Sequence, residues 1–151
     1  TERLSDVLLD RMDILYMQYP ETQELEEEIV LQKGKKMLVT FPSHLLTYLV
    51  GFVRELRDNK DLEKVPSVRA SLGIYERAQS TALLHSRKEV TMDDIRAVMH
   101  SVVAHRLKLK PSIRYLKNTH QFLSHALDEY TQHGFGKHAL ETHTHEDSDV
   151  P

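Results

Sequence analysis

The chain has 151 residues, 40% of them apolar and 28% charged, an ordinary balance for a globular protein with one core. Its formal net charge of −3 argues against general binding to nucleic acid. The chain has no cysteine, which excludes disulfides, thiolate catalysis and cysteine-ligated zinc. It also lacks a long apolar run or a leader pattern, so we expect a cytoplasmic protein without a membrane partner.

The first twenty residues predict the edge of a different structural unit. Residues 14–17 have the pattern of a short buried strand that ends at Tyr19-Pro20. Such a strand needs partners, and nothing later in the chain supplies a second good strand. We interpret residues 1–20 as the remnant of an α/β core, with a helix continuing through residue 19 as the alternative.

An all-α bundle of four to five helices is predicted over residues 21–133, where Gly and Pro are few. The acidic run 26–28 is interpreted as a solvated face rather than a metal site. Residues 134–151 are rich in His and acid and are predicted to be a disordered tail that binds metal only adventitiously. No dedicated metal site is expected. The predicted helices span residues 21–36, 42–57, 67–86, 91–107 and 112–133, with a possible break near Asn118.

The segment 65–71 contains a conspicuous cation. Pro66 keeps the preceding residue extended, and Ser67 is placed to cap the next helix. Arg69 then falls in the first helical turn, where the helix dipole disfavours positive charge. This position suggests an anionic partner held at the helix start. The alternative is that Arg69 leans back to a nearby Glu.

The run VPSVRASLGIYERAQSTALLHSRKEVTMDDIRAVMHSVVAHRLKL resembles the C-terminal helical lid of AAA+ ATPases of the MoxR/magnesium-chelatase branch. Its Ser-x-Arg-Ala motif opens a helix and is followed by a basic turn and a Val-Thr-x-x-Asp helix start. The resemblance implies that Arg69 is sensor 2, which reaches the nucleotide phosphates, and it places Ser67 at the same cofactor-binding site.

The segment LSDVLLDRMDILYMQYPETQELEEEI is similar to the family's Leu-Leu-Asp-Arg-Phe motif, last core strand and Tyr-Pro link. The similarity implies that Arg11 is the arginine finger, which acts in trans on the γ-phosphate bound to the neighbouring subunit. Met12 stands where an aromatic residue is common. The resemblance covers about residues 4–110.

The sequence has no phosphate-binding Gly-x-x-x-x-Gly-Lys-[Ser/Thr] loop and no strand ending in paired carboxylates, so the chain alone is not expected to be an enzyme. The resemblance implies the C-terminal part of an ATPase that remodels protein partners or inserts metal. Thr1 in place of Met favours a fragment. ATP and Mg²⁺ are then cofactors of the full-length parent. Its implied partners are the AAA+ core, the neighbouring subunits of a hexameric ring and a protein with a von Willebrand factor A-type domain.

Two other functions remain open. Residues 104–117 carry five Lys or Arg and no acid, and Tyr115 is available to stack on a base, which suggests an anion or nucleic-acid contact. The bundle is also compatible with a stand-alone helical interaction module, which would need neither Arg11 nor Arg69.

Overall fold

The computed structural model describes residues 11–13 and 15–141, and of residues 134–141 only the backbone. The described part is mostly helical, which confirms the predicted all-α bundle. The helices are α1 (Gln23–Lys33), α2 (Ser43–Asp58), α3 (Val68–Leu84), α4 (Met92–Val103), α5 (Pro111–Arg114) and α6 (Thr119–Glu141).

A two-stranded antiparallel ribbon, which the sequence did not predict, closes one end of the bundle. It pairs β1 (Leu62–Lys64) with β2 (Lys108–Leu109), in a register that sets Leu62 opposite Leu109. A 3₁₀ turn at Ala104–Arg106 separates α4 from β2, so the predicted helix 91–107 is shorter than expected. The ribbon ties the start of the α3 segment to the end of α4.

Helix α3 lies at the centre and packs against α1, α2 and α4. Its Ala70, Ala78 and Ala82 are fully buried, as expected where small side chains let neighbouring helices approach closely. Helix α2 contributes the broadest apolar face, which includes Leu49 and Phe52. The core therefore forms between α3 and the helices around it.

Helix α6 covers the outside of α2. Its Tyr130 ring lies 5.1 Å from the ring of Tyr48 and 5.4 Å from that of Phe52, measured between centroids. The predicted break near Asn118 is confirmed, because α5 ends at Arg114 and α6 begins at Thr119.

The predicted strand at residues 14–17 and the predicted end of the last helix are both wrong. Residues 15–17 form no strand and their side chains are almost fully exposed, because no described strand pairs with them; Ile14 lies outside the described residues. The last helix does not end at residue 133. Residues 134–141 continue α6 as a helix rather than a disordered tail, since His138-Ala139-Leu140-Glu141 suits a helix and the two glycines before it do not break one. Residues 142–151, with two of the tail histidines, lie outside the described part.

Candidate functional site

Arg69 lies in the first turn of α3 and is exposed to solvent. Within the described part of the chain its guanidinium makes no hydrogen bond and no ion pair, so the predicted alternative of a nearby Glu partner is not found. The dipole of a 17-residue helix opposes a cation at this end. Arg69 is thus a cation at an unfavourable position without a described partner.

Ser67 occupies the N-cap position of α3, with the extended backbone angles φ −90° and ψ 175° that an N-cap needs. Its hydroxyl, however, makes no capping hydrogen bond, so the predicted side-chain cap is wrong. The Ala70 amide instead donates to the Ser67 carbonyl oxygen at 2.8 Å. The hydroxyl is left exposed at the same helix end as Arg69.

Beneath this helix end lies a buried carboxylate, although its sequence position predicted a solvated face. Glu26 on α1 is 0% exposed. Its two oxygens accept bonds from Arg57 of α2, at 2.6 Å from Nη1 to Oε2 and 2.7 Å from Nη2 to Oε1. Oε1 also accepts a bond from the Ser71 hydroxyl of α3 at 2.7 Å. One carboxylate therefore joins three helices.

The electrostatics of Glu26 follow from these partners. Burial raises the pKa of the carboxyl group, but hydrogen bonds from Arg57 and Ser71 and the positive charges of Arg57 and Arg54 outweigh burial. The net result is a pKa below the ordinary value, so Glu26 is ionised at neutral pH.

Arg57 extends the cluster toward the start of α3. Its Nε donates to the Pro66 carbonyl oxygen at 2.9 Å, and its Cζ lies 4.6 Å from the centroid of the Tyr19 ring. A planar guanidinium is suited to this combination, because one face stacks on the ring while the edges donate hydrogen bonds.

Arg54, one turn earlier on α2, holds the segment that leads into α1. Its terminal nitrogens donate to three consecutive carbonyl oxygens, those of Pro20 at 2.9 Å, Glu21 at 3.0 Å and Thr22 at 3.2 Å. Arg54 Nη1 also lies 3.6 Å from Glu26 Oε2. The linker before the bundle and the start of α3 are thus attached to the same charged cluster.

Only a partial signal for this cluster was present in the sequence. Glu26 and Val30 are one turn apart and both are fully buried, whereas the apolar Leu25 is 45% exposed. The prediction of a solvated face at residues 26–28 was therefore wrong for Glu26, because Glu is rarely buried without a partner and its partners lie on other helices. The only sequence feature that indicated partners for a buried acid is the presence of Arg54 and Arg57 on α2.

Arg11, the predicted finger, is exposed and precedes the irregular residues 15–20. No described contact joins it to Arg69 or to the Glu26 cluster. Across the described residues there is no group of three or more His, Asp or Glu side chains able to hold a metal ion. None of the described helices is long and apolar enough to cross a membrane.

Part of the predicted basic patch lines a cavity of about 380 Å³ beside the β1–β2 ribbon. Lys108 there is paired with Glu63 at 2.7 Å, which leaves Arg114 and Lys117 as its unpaired cations among the described residues. The cavity is lined by Leu107, Lys108, Leu109, Arg114, Lys117, Asn118 and Thr119.

Residues 63–123, which run from β1 into α6, match the family model described as the AAA lid domain. This stretch of the chain is similar to the AAA lid domain. This match confirms the lid predicted from the sequence and includes Arg69 and Ser67, whereas Arg11 and Glu26 precede the matched residues.

Two further proteins are similar to this chain. The uncharacterized protein YeaC of Bacillus subtilis is 27% identical over 113 residues, which cover 70% of this chain and 35% of that protein. The crystal structure of a "putative ATPase" from Cytophaga hutchinsonii superposes with a TM-score of 0.55 at 22% identity, over 60% of this chain and 31% of that one. The likeness shows a shared fold. This chain spans about a third of the length of each relative.

Proposed function

We propose that the lid domain belongs to an AAA+ ATPase of the MoxR/magnesium-chelatase branch and that Arg69 contacts the phosphates of ATP bound to the core of its own subunit. The observation that carries the proposal is the exposed, unpaired guanidinium of Arg69 at the N-terminal end of α3. An anion there would be attracted by the helix dipole and by Arg69 together, which turns an unfavourable position into a favourable one.

Arg11 is proposed to act across the subunit interface as the arginine finger. A delocalised, permanently charged guanidinium suits the spread negative charge of phosphoryl transfer. Bound ATP would supply the phosphates, and Mg²⁺ would be held by the core of the parent protein. The parent would then be a ring-forming cytoplasmic enzyme, and a protein with a von Willebrand factor A-type domain is its proposed partner, for remodelling or metal insertion.

The test exploits the opposite sides on which the two arginines would act. In the full-length parent, Arg69→Ala and Arg11→Ala should each lower ATP hydrolysis strongly. When the two variants are mixed and reassembled, some interfaces combine an intact Arg69 on the ATP-bearing subunit with an intact Arg11 on its neighbour. Activity should therefore reappear on mixing.

The control is Arg77→Ala, which removes an exposed Arg two turns further along α3. This variant should hydrolyse ATP at the parental rate. Unchanged hydrolysis in both Arg69→Ala and Arg11→Ala would overturn the proposal and favour a stand-alone interaction module. If both variants lose ATP hydrolysis and mixing does not restore it, the two arginines do not act from opposite sides of the subunit interface.

The basic cavity supports a second candidate function, binding of single-stranded nucleic acid. Arg114 and Lys117 line the cavity and Tyr115 beside them is 91% exposed, so cations and an unstacked ring occur together. Binding of a labelled single-stranded RNA should weaken with salt and be lost in the double variant Arg114→Ala/Lys117→Ala. An absence of binding at low salt would exclude this function.

A further inference from the structure

We propose that the Glu26–Arg57 pair positions Arg69, by tying the first turn of α3 to the linker before α1. This inference rests on the proposed function of Arg69. It assigns a role to two buried residues that both precede the residues matched by the family model.

The contacts of the cluster bracket Arg69 in sequence. Arg57 holds the carbonyl oxygen of Pro66, three residues before Arg69, at 2.9 Å. Glu26 holds the hydroxyl of Ser71, two residues after Arg69, at 2.7 Å. A displacement of the first turn of α3 would have to break one of these bonds, so the cluster fixes the backbone from which the Arg69 side chain extends.

The same cluster also binds the linker before α1, residues 19–22. The Tyr19 ring stacks on Arg57 at 4.6 Å, and Arg54 binds the carbonyl oxygens of residues 20–22 while its Nη1 lies 3.6 Å from Glu26. In the proposed parent these residues connect the lid to the core. Motion of the linker would therefore be transmitted through Arg54 and Glu26 to the helix end that carries Arg69.

Stability alone is a weak reason for such a cluster. A buried ion pair often contributes less than well-packed apolar side chains of equal size, because both ions lose their hydration. What a bidentate pair with further hydrogen bonds supplies is orientation, since a planar guanidinium satisfies all its acceptors in one geometry only. No buried side-chain nitrogen or oxygen lacks a partner in the described part of the chain, so this geometry is fully satisfied.

The discriminating variant is Arg57→Lys, which keeps the charge but loses the fork that binds Glu26 and Pro66 together. In the full-length parent, we would measure ATP hydrolysis for Arg69→Ala, Arg57→Lys and the double variant. If Arg57 positions Arg69, Arg69→Ala should lower the rate of ATP hydrolysis by a smaller factor in the Arg57→Lys background than in the parent. The coupling expected for members of one network is about threefold to tenfold in rate.

The matched control is Arg87→Lys, which weakens another bidentate pair, at the opposite end of α3. Arg87 binds Asp94 through two bonds of 2.5 and 2.6 Å. The effects of Arg87→Lys and Arg69→Ala should multiply without coupling, because Arg87 does not contact the start of α3. A purely structural role for Arg57 would give the same uncoupled result.

The outcomes separate the two proposals. If Arg69→Ala alone leaves hydrolysis unchanged, the proposed function fails. If Arg69→Ala lowers hydrolysis but its effect is the same in the Arg57→Lys background, the positioning role is overturned while the proposed function stands. Should Arg57→Lys not fold, Ser71→Ala replaces it in the same cycle, since it removes a single hydrogen bond between α1 and α3.

Discussion

Arg87 and Asp94 form a bidentate ion pair across the turn between α3 and α4, with Nη1–Oδ2 and Nη2–Oδ1 distances of 2.5 and 2.6 Å. Asp94 also accepts a bond from the Thr91 amide at 2.9 Å, which completes a capping box at the start of α4. The Asp94 side chain is 1% exposed. One carboxylate thus begins α4 and fixes the end of the preceding turn.

The first prediction is that Asp94→Ala destabilises the chain. The variant leaves the Thr91 amide without its Asp94 acceptor and the Arg87 guanidinium without its carboxylate, so the free energy of unfolding should fall by about 1–3 kcal/mol. Urea unfolding followed by circular dichroism measures the change. The control is Asp93→Ala, an exposed acid in the same helical turn, which should change stability much less. Equal effects of the two variants would show that the helix dipole, rather than the buried pair, stabilises this turn.

Local patterns made this turn predictable. The Thr91-to-Asp94 spacing is a capping box that can be read within four residues. The apolar spacing of α2 likewise predicted its position to within one residue at its C-terminal end. These features depend on neighbours in sequence, which is why the lid motif could be recognised along the chain.

Features that join distant residues were not predictable in this way. Glu26 looks like a surface residue within its own helix, and only α2 and α3, which approach it in space, make its burial possible. The ribbon pairs residues 62–64 with residues 108–109, across more than forty positions, and neither strand is long enough to carry its own pattern. Arg11 and Arg69 were predicted as functional residues from the resemblance. That Arg69 has no partner among the described residues could be seen only in the structure.

The second prediction concerns pH. The pKa values of Glu26 and Asp94 in the folded chain lie below their ordinary values of 4.5 and 3.8, because ion pairs and hydrogen bonds outweigh burial. The unfolded chain therefore binds more protons in acid, so both groups stabilise the fold above these values. That contribution should be lost as the pH falls from 4.5 through the lower folded values.

The measurement compares Glu26→Gln with the parent chain by urea unfolding between neutral pH and about pH 3. Breaking the buried pair should cost about 3–5 kcal/mol at neutral pH, because Arg57 loses its partner in a buried site. The difference between variant and parent should shrink in acid, where Glu26 itself becomes protonated. Glu28→Gln, at an exposed position of the same helix, should show a small difference at every pH. If the difference in the free energy of unfolding between Glu26→Gln and the parent did not change with pH, the prediction would be wrong.

The third prediction concerns Gln79, a buried amide that fastens the segment between α1 and α2 to α3. Gln79 is 1% exposed; its Oε1 accepts a bond from the Met37 amide at 3.0 Å, and its Nε2 donates to the Tyr75 carbonyl at 3.1 Å. In Gln79→Leu the Met37 amide would be left without this acceptor, which should cost about 1–3 kcal/mol. Hydrogen exchange should show faster exchange of that amide.

A neighbouring variant provides the comparison for Gln79. Ser80→Ala removes a half-buried hydroxyl that donates to the carbonyl of its own helix, that of Glu76 at 3.0 Å, and lies 3.5 Å from the Met37 sulfur without contacting the Met37 amide. It should leave exchange at Met37 unchanged and should lower stability little. Slow exchange at Met37 in Gln79→Leu would mean that another group takes over as acceptor.

The final prediction uses two glycines that should respond differently to substitution by alanine. At Gly34, which ends α1, an added Cβ would lie 2.6 Å from the Val30 carbonyl oxygen and 2.7 Å from Cδ1 of Tyr75. One obstacle is backbone and the other is a buried ring, so neither can move freely. The φ of −68° is accessible to alanine, and the usual gain of about 0.4–1 kcal/mol from a stiffer unfolded chain applies. The clash should exceed this gain, at about 1–3 kcal/mol, so Gly34→Ala should be destabilising.

Gly73, inside α3, meets one side-chain atom, Cγ1 of Val102, at 2.9 Å. Alanine in a helix interior is favoured over glycine by about 1 kcal/mol, which offsets a clash that a small shift of Val102 relieves. Gly73→Ala should therefore unfold at nearly the same urea concentration as the parent, while Gly34→Ala unfolds earlier. The reverse order would show that the turn after α1 yields more easily than the α3–α4 contact.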